Sequence, residues 1–197
     1  MSAPEPSDEL AITAAYGQLD GVEPAFVKEV CVALVVGGYD LELDVDLATI
    51  DVEAADPWLG RVLGVVRPIA RSVSFYAVHP DPVPAELLAQ ASELAMRATD
   101  AEFDVAFEVD LTAGTFAARS SVTLGDVEVS TGVLSGLLGV ALASAESAIM
   151  RYRAALEAVA TGELSAAAAA SRARHADLDV MAAEIAALEE RVSPPSP

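Results

Sequence analysis

The sequence predicts an α+β domain in residues 1–162, with an antiparallel β-sheet and helices packed mainly on one face. A helical extension with a Pro-rich tail is expected in residues 163–197. Three observations support this class. Segments in which apolar and polar residues alternate, as in half-buried strands, recur along the chain. Glycine-containing turns join some of them as hairpins. Apolar residues three and four positions apart mark amphipathic helices around them.

The N-terminal part predicts a short helix and a central strand. A Ser or Asp cap precedes a helical pattern over residues 7–19. Residues 26–36 are apolar on both alternating faces, which is typical of a strand buried in the middle of a sheet. Gly37 and Gly38 follow directly, and we expect them to form a hairpin turn into the next strand.

The second predicted strand, 39–47, has an acidic outer face. Its apolar residues alternate with four carboxylates, Asp40, Glu42, Asp44 and Asp46. Carboxylates on one strand face lie about 7 Å apart, a spacing that suits solvent better than a shared ion, so no metal site is expected. A change of phase at residues 48–49 predicts a bulge or a turn. Residues 61–66 fit a strand or a short helix, and 72–79 fit a strand.

The middle of the chain predicts a helix, a hairpin and a long helix. Pro84 suits the first position of a helix that reaches about Ala98. Strict alternation over 102–110 and again over 116–124 predicts two paired strands, joined by a turn at 111–114. A stripe of apolar residues then runs from Leu134 to Val159, with Ser130 or Thr131 as its N-cap and Gly162 after its end.

A last helix is predicted over residues 164–192. Its first half is nearly polyalanine, and its second half carries a short coiled-coil seam formed by Leu178, Met181, Ile185, Leu188 and Val192. The seam could dock on its own domain or pair with another chain, and both alternatives stay open. We expect residues 193–197 to be disordered.

Charge and composition limit the partners. The formal net charge is −20, so nucleic acid and electrostatic membrane binding are not expected. Two alternatives stay open: the acidity only keeps an apolar chain soluble, or it serves a neutral or basic protein partner. The amino terminus has neither a basic nor an apolar signal region, so we expect a cytoplasmic protein. Residues 129–145 lack charge but are interrupted by Ser and Thr, which favours a buried amphipathic helix over a membrane span. Cys31, the single cysteine, is expected to be buried.

No reaction is indicated by the residue pattern. The histidines, His79 and His175, have no Cys, His or Ser partner at a telling spacing, and nucleotide-binding and nucleophile motifs are absent. Gly132, Gly136 and Gly139 lie in a predicted helix and favour close packing. We therefore expect no enzyme, no cofactor and no catalytic residues. A carboxylate-based hydrolase remains an alternative, which requires a cleft that gathers two acids.

Four segments of the chain together carry a family resemblance. They are Val83-Pro84-Ala85-Glu86-Leu87-Leu88, Phe103 to Asp110, Gly114 to Arg119 and Arg151 to Gly162. Their order and spacing are similar to those of the YbjN-like family, which shares a fold with type III secretion chaperones. The resemblance implies a helix, a β-meander, a second helix, a hairpin and a last helix. It also implies a non-enzymatic domain that binds peptides or proteins and is often dimeric and acidic.

The leading hypothesis is a chaperone-like or regulatory binding domain. It would hold a segment of a client protein by strand addition or by docking a helix in a groove. The best apolar cluster, which forms either the core or a groove wall, consists of Phe103, Phe107, Phe116, Leu137 and Tyr152. The alternative is a structural or assembly protein that oligomerises through its C-terminal helix, and a homodimer is open in both cases.

Overall fold

A six-stranded antiparallel sheet organises the chain in a computed structural model, which describes Gly21 and residues 24–192. The strands are β1 (Leu41–Asp44), β2 (Thr49–Glu53), β3 (Arg61–Arg67), β4 (Ser72–Val78), β5 (Ala106–Val109) and β6 (Phe116–Thr123). The helices of the described part are α1 (Ala25–Val36), α2 (Leu88–Ala101), α3 (Thr131–Ala160) and α4 (Ala166–Val192), with a 3-10 turn, Ala85–Leu87, before α2. The predicted helix at 7–19 and the tail 193–197 lie outside the described residues.

The strand order is β1-β2-β3-β4-β6-β5, and every neighbouring pair is antiparallel. The first four strands form a meander. The β5–β6 hairpin then joins through β6, so that β4 and β6 are central while β1 and β5 are the edges. The α+β class with an antiparallel sheet and a C-terminal helix is confirmed, and the order of elements is the one that the family resemblance implies.

The core lies between one face of the sheet and the helices. Side chains of that face, such as Phe75 on β4 and Phe116 on β6, are fully buried with the apolar stripe of α3. Phe107 on β5 has its ring centroid 5.6 Å from that of Phe116 and 4.8 Å from that of Tyr152 on α3. Burial of side chains of this size contributes about 1.5–3 kcal/mol each, so this face and the helices stabilise each other.

The strand predicted at 26–36 is wrong, because these residues form α1. An apolar run that is buried almost all round has no period that separates a strand from a helix. The predicted hairpin turn is wrong for the same reason, because Gly37 and Gly38 end α1 instead. The N–H of Gly38 donates to Val35 and that of Tyr39 to Leu34, a Schellman motif with Gly38 at φ 83°.

Several element boundaries differ from the prediction. The strand predicted over 39–47 is shorter and covers only β1, because the chain turns through residues 45–48, where Ala48 takes φ 52°. This turn accounts for the change of phase that the sequence shows at residues 48–49. Residues 61–66 lie in a strand, which settles the open alternative. Pro84 precedes the 3-10 turn rather than starting an α-helix, and α2 runs to Ala101. The strand predicted from 102 therefore starts only at 106, after the end of α2.

Helix α3 has the predicted limits and the predicted buried stripe. Ser130 is its N-cap, with the Val133 N–H donating to its hydroxyl at 3.4 Å, and Gly162 follows the C-cap with φ 74°. Within the described residues, α3 is the one helix long and apolar enough to cross a bilayer. This is weak evidence for a membrane span, because core helices of soluble proteins pass the same test and 39% of the apolar window is buried.

The two halves of α4 differ. The alanine-rich half packs against α2 and α3, and four of its alanines are buried in the common core: Ala166, Ala169, Ala170 and Ala173. Two residues of the predicted seam, Leu178 and Ile185, are exposed. The side chains of Met181, Leu188 and Val192 lie outside the described part. Docking of the C-terminal helix on its own domain is therefore carried by the alanines, and not by Leu178 or Ile185.

Candidate functional site

The face of the sheet opposite the core carries a band of apolar side chains, all half-exposed except Ala117, which is buried at 8% exposure. We call this band the open face and define it by Leu63, Val65, Tyr76, Val78 and Ala117. In the cross-strand register Leu63 pairs with Tyr76, and Val78 pairs with Ala117, so the side chains are contiguous across three strands. None of the five belongs to the hydrophobic core of the described residues. They are the apolar part of the sheet that the described helices leave uncovered.

Ion pairs line the two sides of the open face. On the β1 side, Arg61 Nη2 lies 3.0 Å from the Glu42 carboxylate. On the β5 side, Arg119 Nε lies 2.5 Å from the Glu108 carboxylate. All four side chains are partly exposed, so each pair adds little to stability and remains accessible to a bound partner.

A groove of about 270 Å³ runs along one end of the open face. Its lining combines apolar and acidic residues: Leu63, Tyr76, Val78, Glu108, Asp110, Thr115 and Ala117. Asp110 accepts the backbone N–H groups of Ala113 at 3.0 Å and Thr112 at 2.7 Å, and these bonds lower the pKa of its carboxyl. The groove therefore keeps a negative charge beside its apolar wall over a wide pH range.

The edge of the sheet next to this groove is closed. The Thr99 hydroxyl on α2 accepts the Phe107 N–H at 2.8 Å and lies 3.4 Å from the Phe107 carbonyl oxygen. The N–H and C=O of Phe107 point away from β6, and a strand added at this edge would have to form hydrogen bonds with them. At the opposite edge, β1 is four residues long and acidic. The geometry therefore favours binding on the face over strand addition at β5.

The predicted apolar cluster is divided between two environments. Phe107, Phe116 and Tyr152 are buried in the core. Phe103 is fully exposed in the link between α2 and β5, and Leu137 is 40% exposed on α3. Of the five predicted residues, only Phe103 and Leu137 can line a groove that binds a partner, because the other three side chains are buried.

The open face is a surface that the sequence patterns did not predict. The sequence did contain an indication of it, because in the second half of β4 the buried Phe75 and Ala77 alternate with the half-exposed, apolar Tyr76 and Val78. Apolar residues on the second alternate face of a strand indicate either burial on both sides or a binding surface. Only the position of the helices decides between these two alternatives.

A second groove, of about 430 Å³, lies between the link 102–105 and α3. It gathers two acids, Glu102 and Asp104, as a carboxylate-based hydrolase would require. Glu102, however, is held by Arg151 Nη1 at 2.6 Å, which ties the end of α2 to α3. This geometry fits a structural link better than a catalytic pair. Among the described residues, no group of three or more His, Cys, Asp or Glu could hold a metal ion.

The remaining reactive side chains have structural surroundings. His79 is buried, and its Nδ1 accepts the Asp81 N–H at 3.1 Å within a turn. Its ring lies edge-on to Trp58, with centroids 5.1 Å apart. Cys31 is fully buried on α1, as predicted, and burial raises the pKa of its thiol to about 11. A thiol with that pKa is a poor nucleophile at neutral pH.

Comparison with known proteins supports the fold. No family model matches the sequence, and no curated protein matches it. Among solved structures, the chain is similar to YbjN, a candidate transcription regulator from E. coli. The match has a TM-score of 0.53 and 12% sequence identity, and it covers 66% of this chain and 92% of YbjN. At this identity the likeness shows the fold alone. The described residues therefore have a YbjN-like fold, as the sequence resemblance implied.

Proposed function

We propose that this protein is a cytoplasmic, non-enzymatic binding domain that holds a polypeptide segment on its open face. The observation that carries the proposal is the contiguous apolar band on β3, β4 and β6, which the described helices leave uncovered. Exposed apolar patches rimmed by polar groups are typical of interaction sites. The fold likeness to YbjN, a candidate transcription regulator, is compatible with such a regulatory or binding role.

The chemistry of the groove indicates what kind of segment fits. Its wall at Leu63 and Tyr76 suits an apolar side chain, and its acidic end at Glu108 and Asp110 suits Lys or Arg. The net charge of −20 attracts basic segments from a distance and repels acidic ones. We therefore propose a client segment in which apolar and basic residues stand close together.

Selection of peptides by the full-length protein tests this proposal. Peptides selected from a random library should be enriched in adjacent apolar and basic residues. Leu63→Arg places a charge in the groove wall and should weaken their binding at least about tenfold, the effect of losing about 1.4 kcal/mol. Ile69→Arg, in the exposed β3–β4 turn, is the matched control and should bind like the wild type.

Two results would overturn the proposal. One is a selection that yields no peptide above background. The other is a set of peptides whose binding Leu63→Arg leaves unchanged while the variant keeps the wild-type melting temperature. Surface substitutions of this kind change stability little, so both variants should remain folded.

A second candidate function is assembly through α4. The observation that favours it is the exposure of Leu178 and Ile185, two apolar residues of the predicted seam. Replacement of both by Glu leaves the docked alanine half of α4 intact. If assembly is the function, these changes should abolish higher oligomers and leave peptide binding unchanged. Unaltered oligomers would remove this candidate.

A further inference from the structure

The outer side of α1 carries one fully buried side chain that does not belong to the hydrophobic core. Seven residues of α1 are buried, and six of them are members of the core. The exception is Val32, which is 0% exposed. With 3.6 residues per turn, Val32 lies on the same side of α1 as Lys28, Glu29 and Val36, which are all half-exposed. A side chain on that side is fully buried only when a group outside the core covers it.

The chain that leads into α1 has the conformation of a helix end. It enters α1 through Pro24, whose carbonyl oxygen accepts the Val27 N–H at 2.8 Å. Gly21, three positions before Pro24, has φ 86°, and a Cβ built there would meet nothing within 4 Å. Its backbone conformation, and not crowding, therefore requires a glycine. A glycine with positive φ is typical of the position just after a helix, so Gly21 fits the end of the helix predicted at 7–19.

The residues before Gly21 have the pattern that a cover for Val32 needs. Ile12, Ala15, Tyr16 and Leu19 are spaced three and four apart, so they form an apolar stripe on one side of the predicted helix. Two antiparallel helices joined by a short loop form an αα-hairpin, in which residues equally far from the loop lie side by side. Ile12 stands ten positions before residue 22, in the middle of the loop, and Val32 stands ten positions after it.

We propose that residues 7–19 fold back along the outer side of α1 as an antiparallel helix, in which Ile12 covers Val32. The occupant of this surface is thus a segment of the same chain. The segment adds one more helix to the helical side of the domain and leaves the open face uncovered. The proposal does not depend on the proposed client binding.

Charge and connectivity favour this segment over other occupants. Residues 1–23 contain five acidic residues and no lysine or arginine. Lys28, the single lysine of the chain, lies one turn before Val32 on the same side of α1 and attracts such a segment. The residues after 192 have no acidic side chain, and three of the five are prolines, which disfavour a helix. A short linker also gives residues 7–19 an effective concentration in about the millimolar range, which a separate partner would have to exceed.

Alkylation of an introduced cysteine in the full-length protein tests the cover. In a Cys31→Ala background, Val32→Cys should resist iodoacetamide, whereas Val35→Cys, at a 41% exposed position of the same helix, should react. Addition of Ile12→Asp should raise the rate of alkylation of Val32→Cys at least about tenfold, because a carboxylate between the two helices favours their separation. Ala14→Asp places the same charge on the opposite side of the predicted helix and is the matched control, which should leave the rate unchanged.

The native cysteine distinguishes displacement of the segment from unfolding of the domain. Cys31 is buried in the core on the other side of α1. It should therefore stay unreactive in a full-length protein in which Ile12→Asp is the single change. A melting temperature close to that of the wild type should accompany this result.

Disulfide trapping tests the register and does not depend on Ile12→Asp remaining folded. In the Cys31→Ala background, Ile12→Cys and Val32→Cys in one chain should form an intrachain disulfide on mild oxidation. Side chains that face each other across a helix pair can reach the Cα separation of about 4.4–6.8 Å that a disulfide needs. Ala14→Cys combined with Val32→Cys is the matched control and should form none.

The proposal fails on any one of three results. The first is rapid alkylation of Val32→Cys in the otherwise unchanged background. The second is the absence of the Ile12–Val32 disulfide, or its replacement by one between Ser193→Cys and Val32→Cys, which would assign the cover to the C-terminal tail. The third is a disulfide that forms only between separate chains, which would assign the cover to another copy.

Discussion

The Thr99 hydroxyl on α2 lies against the outward backbone groups of Phe107 on β5, 2.8 Å from the nitrogen and 3.4 Å from the oxygen. One side chain thus occupies the position that another strand would take at this edge. The contact also ties α2 to the strand whose Phe107 ring reaches Tyr152 on α3. An edge closed in this way leaves the faces of the domain, rather than this end of the sheet, for partners.

Replacement of Thr99 by Val should destabilise the fold by about 1–3 kcal/mol, because it leaves partly buried backbone groups of Phe107 without a partner. Thr99→Ser keeps the hydroxyl and is the control. Urea unfolding monitored by circular dichroism measures both. Equal stability of the Val variant and the wild type would show that the hydroxyl does not hold this edge.

Cys31 should resist alkylation in the native protein and react on unfolding. Burial raises the pKa of the thiol from 9.0 to about 11, so the fold favours its neutral form. The associated stability is present below pH 9 and is lost as the pH rises towards about 11. The free energy of unfolding should therefore fall more steeply over this range in the wild type than in Cys31→Ala. Parallel curves would contradict the burial of the thiol.

Glu146→Gln should be at least as stable as the wild type at neutral pH. Burial is the main cause that raises the pKa of Glu146, and the Asp56 charge adds to it, against the hydrogen bond from Ala55 N–H at 3.0 Å. Because the raised pKa means that the fold favours the protonated acid, the wild type should gain stability as the pH falls from neutral towards 4.5. The Gln variant, which keeps the acceptor oxygen, should lack this gain. A pH-independent difference between the two curves would be the contrary result.

Gly114→Ala should cost more stability than Gly38→Ala. Both glycines have positive φ, 73° and 83°, so each substitution carries the cost of a left-handed alanine, about 1–2 kcal/mol. At Gly114 the new Cβ would also lie 2.8 Å from the Val83 carbonyl oxygen, whereas at Gly38 it would meet nothing within 4 Å. Thermal unfolding of the two variants gives the comparison. Equal losses would mean that the hairpin and the chain at Val83 move apart freely.

The sequence predicted elements well where the buried residues recur with a distinct period. The strand at 72–79 and the stripe of α3 were found because their periods are distinct. The prediction of a strand over residues 26–36 failed because α1 is buried almost all round. The Gly37-Gly38 pair that ends α1 also has the composition of a hairpin turn. In that case only the packing of α1 against α3 decides the structure.

The candidate site was harder to predict than the fold. Phe103 continues the alternation of β5 in sequence, yet α2 runs to Ala101 without a Gly or Pro stop, so Phe103 falls in the link and points outward. The position of the open face depends on which side of the sheet the helices cover, and no local sequence pattern indicates that side. Tyr76 and Leu63 become a candidate surface only once β3 and β4 are paired.

The central claim is that the open face binds polypeptide. Its most direct test is an NMR titration of the 15N-labelled full-length protein with a selected apolar and basic peptide. The proposal predicts saturable shifts centred on the amides of Leu63, Tyr76 and Ala117, with none beyond background at Phe103 or along α3. Shifts confined to α3 or α4, or the absence of saturable shifts, would contradict it.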